Sequence, residues 1–260
     1  MKIQRLSTAS YKFFSPQGKT VVVDPWLTKD PFWPLSEREP ERLKEIDVIA
    51  ITHAHIDHAA GVDEMVRQNE NVFVIVQSEF GHYLEARWMK HVVRTNFGGT
   101  VELKGIKFSM VPASHTSSWM DQTGKREIFG TAAGYVIEFE NGEKVYVSGD
   151  TGLTGDMKFV VSDFFKPQIS ILPVTGLFAM EPDQAAYAAN VIGSKYVVPS
   201  HDFPKEVSLA ADPEAYRKLL KRLPVLNSYK KVETFLEIMK RDYPHIETVY
   251  IPIGETVVIG

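Results

Sequence analysis

Six residues, His53-Ala54-His55-Ile56-Asp57-His58, place three imidazoles and a carboxylate directly behind the apolar run Val48-Ile49-Ala50-Ile51. The run reads as a buried strand, so the hexapeptide leaves a strand end rather than continuing into a core. Polar groups packed so densely cannot all be buried without partners, and neutral imidazole is a common metal ligand. A divalent metal site accounts for all of them at once, whereas a merely His-rich turn leaves their clustering to coincidence. Any fold this chain adopts must therefore bring further ligands to the end of that strand.

Composition narrows what those ligands are. The 260 residues include no cysteine, which excludes disulfides, thiolate metal sites, iron–sulfur clusters and a cysteine nucleophile. Imidazole and carboxylate remain as the main donors. A formal net charge of −4 gives no general attraction to nucleic acid or anionic lipid. A small-molecule substrate is the expected partner, with neither nucleic acid nor membrane, and a pair of cations would supply the local positive centre. Met1-Lys2-Ile3-Gln4-Arg5-Leu6 carries no apolar core of a secretory signal, and no run approaches the ~18 apolar residues of a membrane span. The resulting expectation is a cytoplasmic protein.

No linker or low-complexity tract divides the chain, so one domain over residues 1–260 is expected. Short β-rich runs alternate with fewer helices. Val21-Val22-Val23 runs into Asp24-Pro25, and Val72-Phe73-Val74-Ile75-Val76 reads as a buried strand. Tyr135-Ile137-Phe139 and Val145-Val147 flank Asn141-Gly142, which predicts a hairpin with a type I′ turn. Pro182 opens a helix predicted to run to Ile192 and stop at Gly193. Val232, Phe235, Leu236 and Met239 recur at helical spacing behind Ser228, a candidate N-cap. Val249-Tyr250-Ile251 and Thr256-Val257-Val258-Ile259 are predicted to close the chain as strands. This order suits a layered α/β protein with two sheets better than a simple parallel sheet.

Three more positions place a polar ligand just after an apolar strand: His115 after Phe108–Ser114, Asp150 after Val145–Gly149, and His201 after Tyr196–Ser200. Strand ends opening into loops along one sheet edge are where rigid scaffolds carry chemistry. Singly, each has an ordinary explanation as a satisfied histidine or a turn; as a set with the hexapeptide they do not. His82, His91 and His245 follow no strand and read as surface or structural residues.

At these residues the chain resembles the metallo-β-lactamase superfamily over nearly its whole length. The matching pieces are Thr52-His53-x-His55-x-Asp57-His58, Ser114-His115, Gly149-Asp150-Thr151 and Pro199-Ser200-His201. Within it the chain most resembles the metal-dependent hydrolases grouped with L-ascorbate-6-phosphate lactonase. That finer likeness rests on Val23–Leu27, Gly149–Leu153 with Gly155–Met157, and Leu172–Gly176 leading to Met180. The resemblance implies a four-layer αβ/βα sandwich of two mixed sheets flanked by helices, with two divalent metals where the halves meet. It also implies that His53, His55 and His115 hold one metal, that Asp57, His58 and His201 hold the second, and that Asp150 bridges them. Two departures stand out. Relatives commonly carry Gly-His-Ser where this chain has Ser7-Thr8-Ala9, and often a histidine or other polar residue where it has Leu177.

Imidazole with carboxylate suits Zn²⁺, and Mn²⁺, Fe or Ni are compatible. Asp24 reads either as a partner orienting a ligand histidine or as a simple strand-end turn with Pro25. Two metals roughly 3.5–4 Å apart can share a water and present it as hydroxide near neutral pH, with Asp57 holding the nucleophile as the catalytic carboxylate. Metal-assisted hydrolysis of an ester-type bond follows, on a lactone or acyl ester or on a phosphate ester. Phe32, Trp33, Trp119 and Met120 lie in segments expected to flank the opening, as do Lys125 and Arg126; for all of them a loop-anchoring or solvated role competes. Three rival readings stand beside this one. A nuclease or phosphodiesterase acting on nucleic acid would want a basic arm, which this acidic chain lacks. A diiron redox protein would want Glu where His55 stands. A non-catalytic metal-binding protein would show metal without turnover. Related branch members often form homo-oligomers, although no segment here marks an interface.

Overall fold

The computed structural model describes residues 1–120, 123–223 and 229–260. Two seven-stranded mixed sheets form its frame. The first takes the order β16 (Thr256–Val258), β1 (Lys2–Arg5), β2 (Tyr11–Phe14), β3 (Thr20–Val23), β4 (Val48–Ile51), β5 (Phe73–Gln77), β6 (Val92–Thr95). From β16 to β3 the pairing is antiparallel; from β3 to β6 it is parallel. The second repeats that plan in the order β15 (Glu247–Thr248), β14 (Tyr196–Ser200), β13 (Ile169–Pro173), β12 (Lys144–Val147), β11 (Ala133–Glu138), β8 (Ile106–Pro112), β7 (Thr100–Leu103). Its β12–β15 half is parallel and its β7–β12 half antiparallel. A separate hairpin, β9 (Ser118–Met120) with β10 (Arg126–Ile128), leaves the end of β8.

Side-chain alternation makes four layers of this. In β3 and β4, Val21, Val23, Val48 and Ala50 face the core between the sheets, while Val22, Ile49 and Ile51 face outward. The outward set packs with residues of α1 (Pro40–Lys44), α2 (Ile56–Ala59), α3 (Val62–Gln68) and α4 (Ser78–Glu85). On the second sheet Val198 faces in and Val197 out, against α5 (Pro182–Ile192) and α7 (Tyr229–Asp242). A strand buried on both faces needs apolar residues at every position, which is why the parallel strands read as unbroken Val/Ile runs. The expected αβ/βα sandwich is the observed architecture. A short α6 (Pro213–Arg222) packs beside the loop after β3 through Tyr216, Phe32 and Phe203.

The helix Pro182–Ile192 has the predicted bounds, and Gly193 ends it in the left-handed conformation at φ 72°. Ser228 lies outside the described residues. Two sequence expectations fail. The Asn141-Gly142 turn is not type I′, because that turn needs positive φ at both central residues and only Gly142 has it. Gly142 donates to the Phe139 carbonyl and Phe139 to that of Glu143, closing a three-residue loop with Gly142 left-handed. Nor is Val249–Ile251 a strand: the ladder ends at Thr248. Beyond it the Tyr250 hydroxyl donates to Asp202 and the Ile251 carbonyl accepts from Arg5. Among the described residues no helix is long and apolar enough to cross a membrane.

Candidate metal centre

Strands β4, β8, β12 and β14 end along one edge of the sandwich, and each delivers candidate ligands there. His53 and His55 follow β4, and His55 caps α2, whose first turn carries Asp57 and His58. His115 follows β8, Asp150 follows β12 and His201 follows β14. The structure brings all seven sequence-predicted residues into one cluster. Candidate ligand atoms of His53, His55 and His115 lie within 4.8 Å of one another, as do those of Asp57, His58 and His201; His53, His58 and Asp150 form a third such group joining the other two. One Asp150 oxygen, Oδ2, lies 3.7 Å from His115 Nε2, 3.6 Å from His58 Nε2 and 3.4 Å from His201 Nε2.

Polar satisfaction breaks down at this point of the molecule. His58 Nε2, His201 Nε2 and Asp150 Oδ1 are buried and lack a hydrogen-bond partner, which ordinarily costs free energy. His55 Nδ1 faces two imidazole nitrogens, His53 Nε2 at 3.0 Å and His115 Nε2 at 3.3 Å. One ring proton cannot satisfy all of these contacts. Lone pairs converging on a buried volume fit cations, and the donor set is one that divalent transition metals accept.

Electrostatics divide the cluster. Burial drives the His53 imidazolium well below its ordinary range and brings that of His55 down to about 4; the neighbouring imidazoles add to both shifts. His115 is lowered for the same reasons. Burial works against charge on His58 and His201 as well, yet Asp150 and Asp57 overcome it and raise both, with Asp24 also acting on His58. In return Asp57 and Asp150 stay ionised despite desolvation, held low by His58 and His201. The first trio is thus neutral and ready to donate. The second group sets Asp57 and Asp150 against His58 and His201 within a buried space.

Residues behind the cluster fix its geometry. Asp24 Oδ2 lies 2.8 Å from His58 Nδ1, so Asp24 is a partner of a candidate ligand and not merely a turn residue. Both Asp24 oxygens also accept from Thr52, through its backbone N–H and its hydroxyl, each at 2.7 Å. Gly149 permits this packing: a Cβ there would come within 2.7 Å of Thr52. Thr175, after β13, sits 2.9 Å from His201 Nδ1.

His201 has φ 58°, uncommon for a side chain that is not glycine. Its N–H donates to the Thr8 carbonyl, and its neighbour Asp202 is ion-paired at 2.7 Å to the fully buried Arg5. The Arg5 guanidinium also donates to the carbonyls of Ser7, Thr8, Ile251 and Asp202. Sequence reasoning passed over Arg5, Asp202, Tyr250 and the role of Thr175. One signal was available: a charged residue on a short strand, Arg5, has to find a partner if buried.

His82, His91 and His245 are exposed and belong to no metal-competent group among the described residues. Phe32 and Trp33 do not border the opening. They are 2% and 1% exposed, buried in the packing that anchors the loop after β3. Trp119 is half-buried against Phe80, and only Met120 of the four is exposed. Lys125 pairs with Glu127 at the surface.

Comparison with known proteins follows the same line. The family described as the Beta-lactamase superfamily domain matches residues 19–201. A UPF0173 metal-dependent hydrolase of Koribacter versatilis is 34% identical over 202 residues, covering 77% of this chain and 84% of its own. One from Rubrobacter xylanophilus is 32% identical over 227 residues, covering 85% and 89%. Among solved structures, the metallo hydrolase Igni18 of the hyperthermophilic archaeon Ignicoccus hospitalis superposes with a TM-score of 0.77 at 22% identity, covering 100% of this chain and 98% of its own.

Proposed function

The chain belongs to the metallo-β-lactamase superfamily as a metal-dependent hydrolase, and from that premise we propose a binuclear enzyme, one domain over residues 1–260, that opens an ester-type bond in a small molecule by attack of water. The bond is that of a lactone or other acyl ester, or of a phosphate ester. The observation that carries this reading is the set of buried atoms without a hydrogen bond, His58 Nε2, His201 Nε2 and Asp150 Oδ1, gathered with four further candidate donor residues at one edge of the sandwich.

His53, His55 and His115 would hold one cation, and Asp57, His58 and His201 the other, with Asp150 reaching both. Zn²⁺ is the expected metal; Mn²⁺, Fe or Ni would also accept these donors. When bound, the ions would lower the pKa of water toward neutrality and polarise the substrate oxygen. Asp24 accepts from His58 Nδ1 and Thr175 meets His201 Nδ1, which turns both Nε2 lone pairs into the cluster. The side chain of Asp57, 29% exposed where Asp150 has 6%, is the carboxylate placed to orient a water from the solvent side. Behind it His53, His58, Asp150 and His201 are buried.

Elemental analysis of purified protein, run beside hydrolysis of a lactone, an aryl ester and a phosphodiester with and without chelator, tests this. About two equivalents of metal and chelator-sensitive turnover are expected. Metal-free protein that hydrolyses at the same rate overturns the reading.

A further inference from the structure

A cavity of about 1110 Å³ lies beside the cluster. Both of its walls begin at candidate ligands. One is α2 and α3, starting at Ile56 between His55 and Asp57; the other is the β9–β10 hairpin, which leaves the chain three residues after His115. Thr116, at the root of the hairpin, is 3.5 Å from His55 Nε2.

Its lining changes character along its length. Ile56, Ala59 and Ala60 share one face of α2 at helical spacing and oppose Trp119 and Met120. Ile56 is 45% exposed and Met120 39%, so apolar surface stands open next to the cluster. Farther along α3 the lining becomes charged, with Asp63, Glu64, Arg67 and Arg87 joined by Lys29 from the loop after β3. Asp63 and Arg87 neutralise one another at 3.1 Å, and Glu64 accepts from the Thr28 hydroxyl. Arg67 rests 5.4 Å from the centre of the Trp88 ring, and neither it nor Lys29 forms an ion pair among the described residues. The cavity therefore runs from an apolar mouth to an end with one more free cation than free anion. Its guanidinium is steadied by an aromatic face and free to meet a carboxylate through two N–H groups.

We propose that this cavity seats the part of the substrate that does not react, and that it selects an ester with an apolar segment ending in an anionic group, held by Arg67 with Lys29. This rests on the hydrolase reading above and names the substrate class it serves. Arg67 is an exposed residue outside the metal cluster, so the fold should tolerate Arg67→Gln.

The test compares para-nitrophenyl hexanoate with the para-nitrophenyl monoester of hexanedioic acid, equal in acyl length but with the second ending in a carboxylate. In the metal-loaded protein the carboxylate-ended ester should show roughly 5–10-fold higher kcat/KM, carried mainly by KM. Arg67→Gln should bring the ratio of the two kcat/KM values to about one, and Lys29→Gln should reduce it in part. Equal rates for the two esters, or a loss that falls equally on both in Arg67→Gln, overturns the proposal. If neither ester is hydrolysed, that failure belongs to the ester reading, and calorimetric titration with monomethyl hexanedioate judges the cavity alone. Binding weakened by Arg67→Gln supports it; no binding ends it.

Discussion

His55 and His115 touch little beyond the other candidate ligands and Thr116, whereas His53, His58 and His201 each lean on a residue outside the cluster, Thr52, Asp24 and Thr175 respectively. The first trio hangs from two loop ends, and His55 and His115 are partly exposed. Behind the second trio stand Asp24 with Thr52, Thr175, and the Arg5–Asp202 pair with its four carbonyls. The first half is a set of imidazoles whose pKa values are lowered, with one brace among them, the Thr52 hydroxyl between His53 and Asp24. The second gathers three carboxylates around two imidazoles and keeps its shape only because buried neighbours are fixed too. A ligand cluster can therefore be assembled cheaply on one side and must be braced on the other, where desolvated charge is being held.

The residue common to both halves gives the strongest test. Asp150→Ala should lower turnover beyond the ~100-fold range seen when a merely supporting partner is lost, and metal content should fall in both halves together. Retention of near-normal turnover, or of one full equivalent of metal, would mean that Asp150 does not join them.

Arg5→Met should come next, and should act on the braced half alone. It leaves Asp202 buried beside Tyr250 without its cation, which costs about 3–5 kcal/mol in comparable buried pairs. Urea denaturation of the metal-free protein measures that loss, and the folded fraction should keep metal in the first trio while losing it from the second. Adding Asp202→Leu should recover much of the stability without restoring metal. A smaller effect of the same kind is expected for Asp24→Ala, roughly 10–100-fold in affinity for the ion at His58 and less at His53, which Asp24 reaches only through Thr52. Chelator competition would read this as one tight and one weakened site, and equal weakening of both would erase the distinction between the halves.

The same division governs what could be read from the sequence. Polar residues that follow apolar strands announce themselves, because a polar residue at a strand end is conspicuous and its neighbours are not; the seven candidate donors that the fold gathers could be picked out this way, and the helix Pro182–Ile192 by its Pro and Gly. The two-sheet architecture was legible from the order of strand and helix runs, and its four layers from the family resemblance. The braces were not. Arg5, Thr175 and Asp202 are far apart in the chain and gain meaning only when β1, β13 and β14 bring them together. For Phe32 and Trp33 the sequence left lining and loop anchoring both open, and the fold decides for anchoring, with Phe32 held against Tyr216 and Phe203. The Asn141-Gly142 turn failed on a matter of one residue, since loop length and not the dipeptide decides the turn type.

The loop that carries Asp24 also carries a second buried carboxylate, Asp30, and the two were given different company. Asp24 meets an imidazole; Asp30, 2% exposed, meets the backbone N–H groups of Phe32 and Trp33 at 2.8 and 3.1 Å. Burial outweighs those bonds and the nearby Arg38, and lifts its carboxyl from 3.8 to about 7. Between those values the native protein holds a proton that the unfolded chain has released, so the native state binds more protons and stability falls as pH rises, levelling off above 7. From pH 6 to 7 the loss should be about 1 kcal/mol. Asp30→Asn removes the charge and keeps an acceptor for the Phe32 N–H, so its unfolding free energy should change less over that interval than that of the parent protein. Denaturation of both proteins in chelator gives the difference, in which the titration of the metal cluster cancels. Parallel pH profiles would show that Asp30 is ionised in the native state.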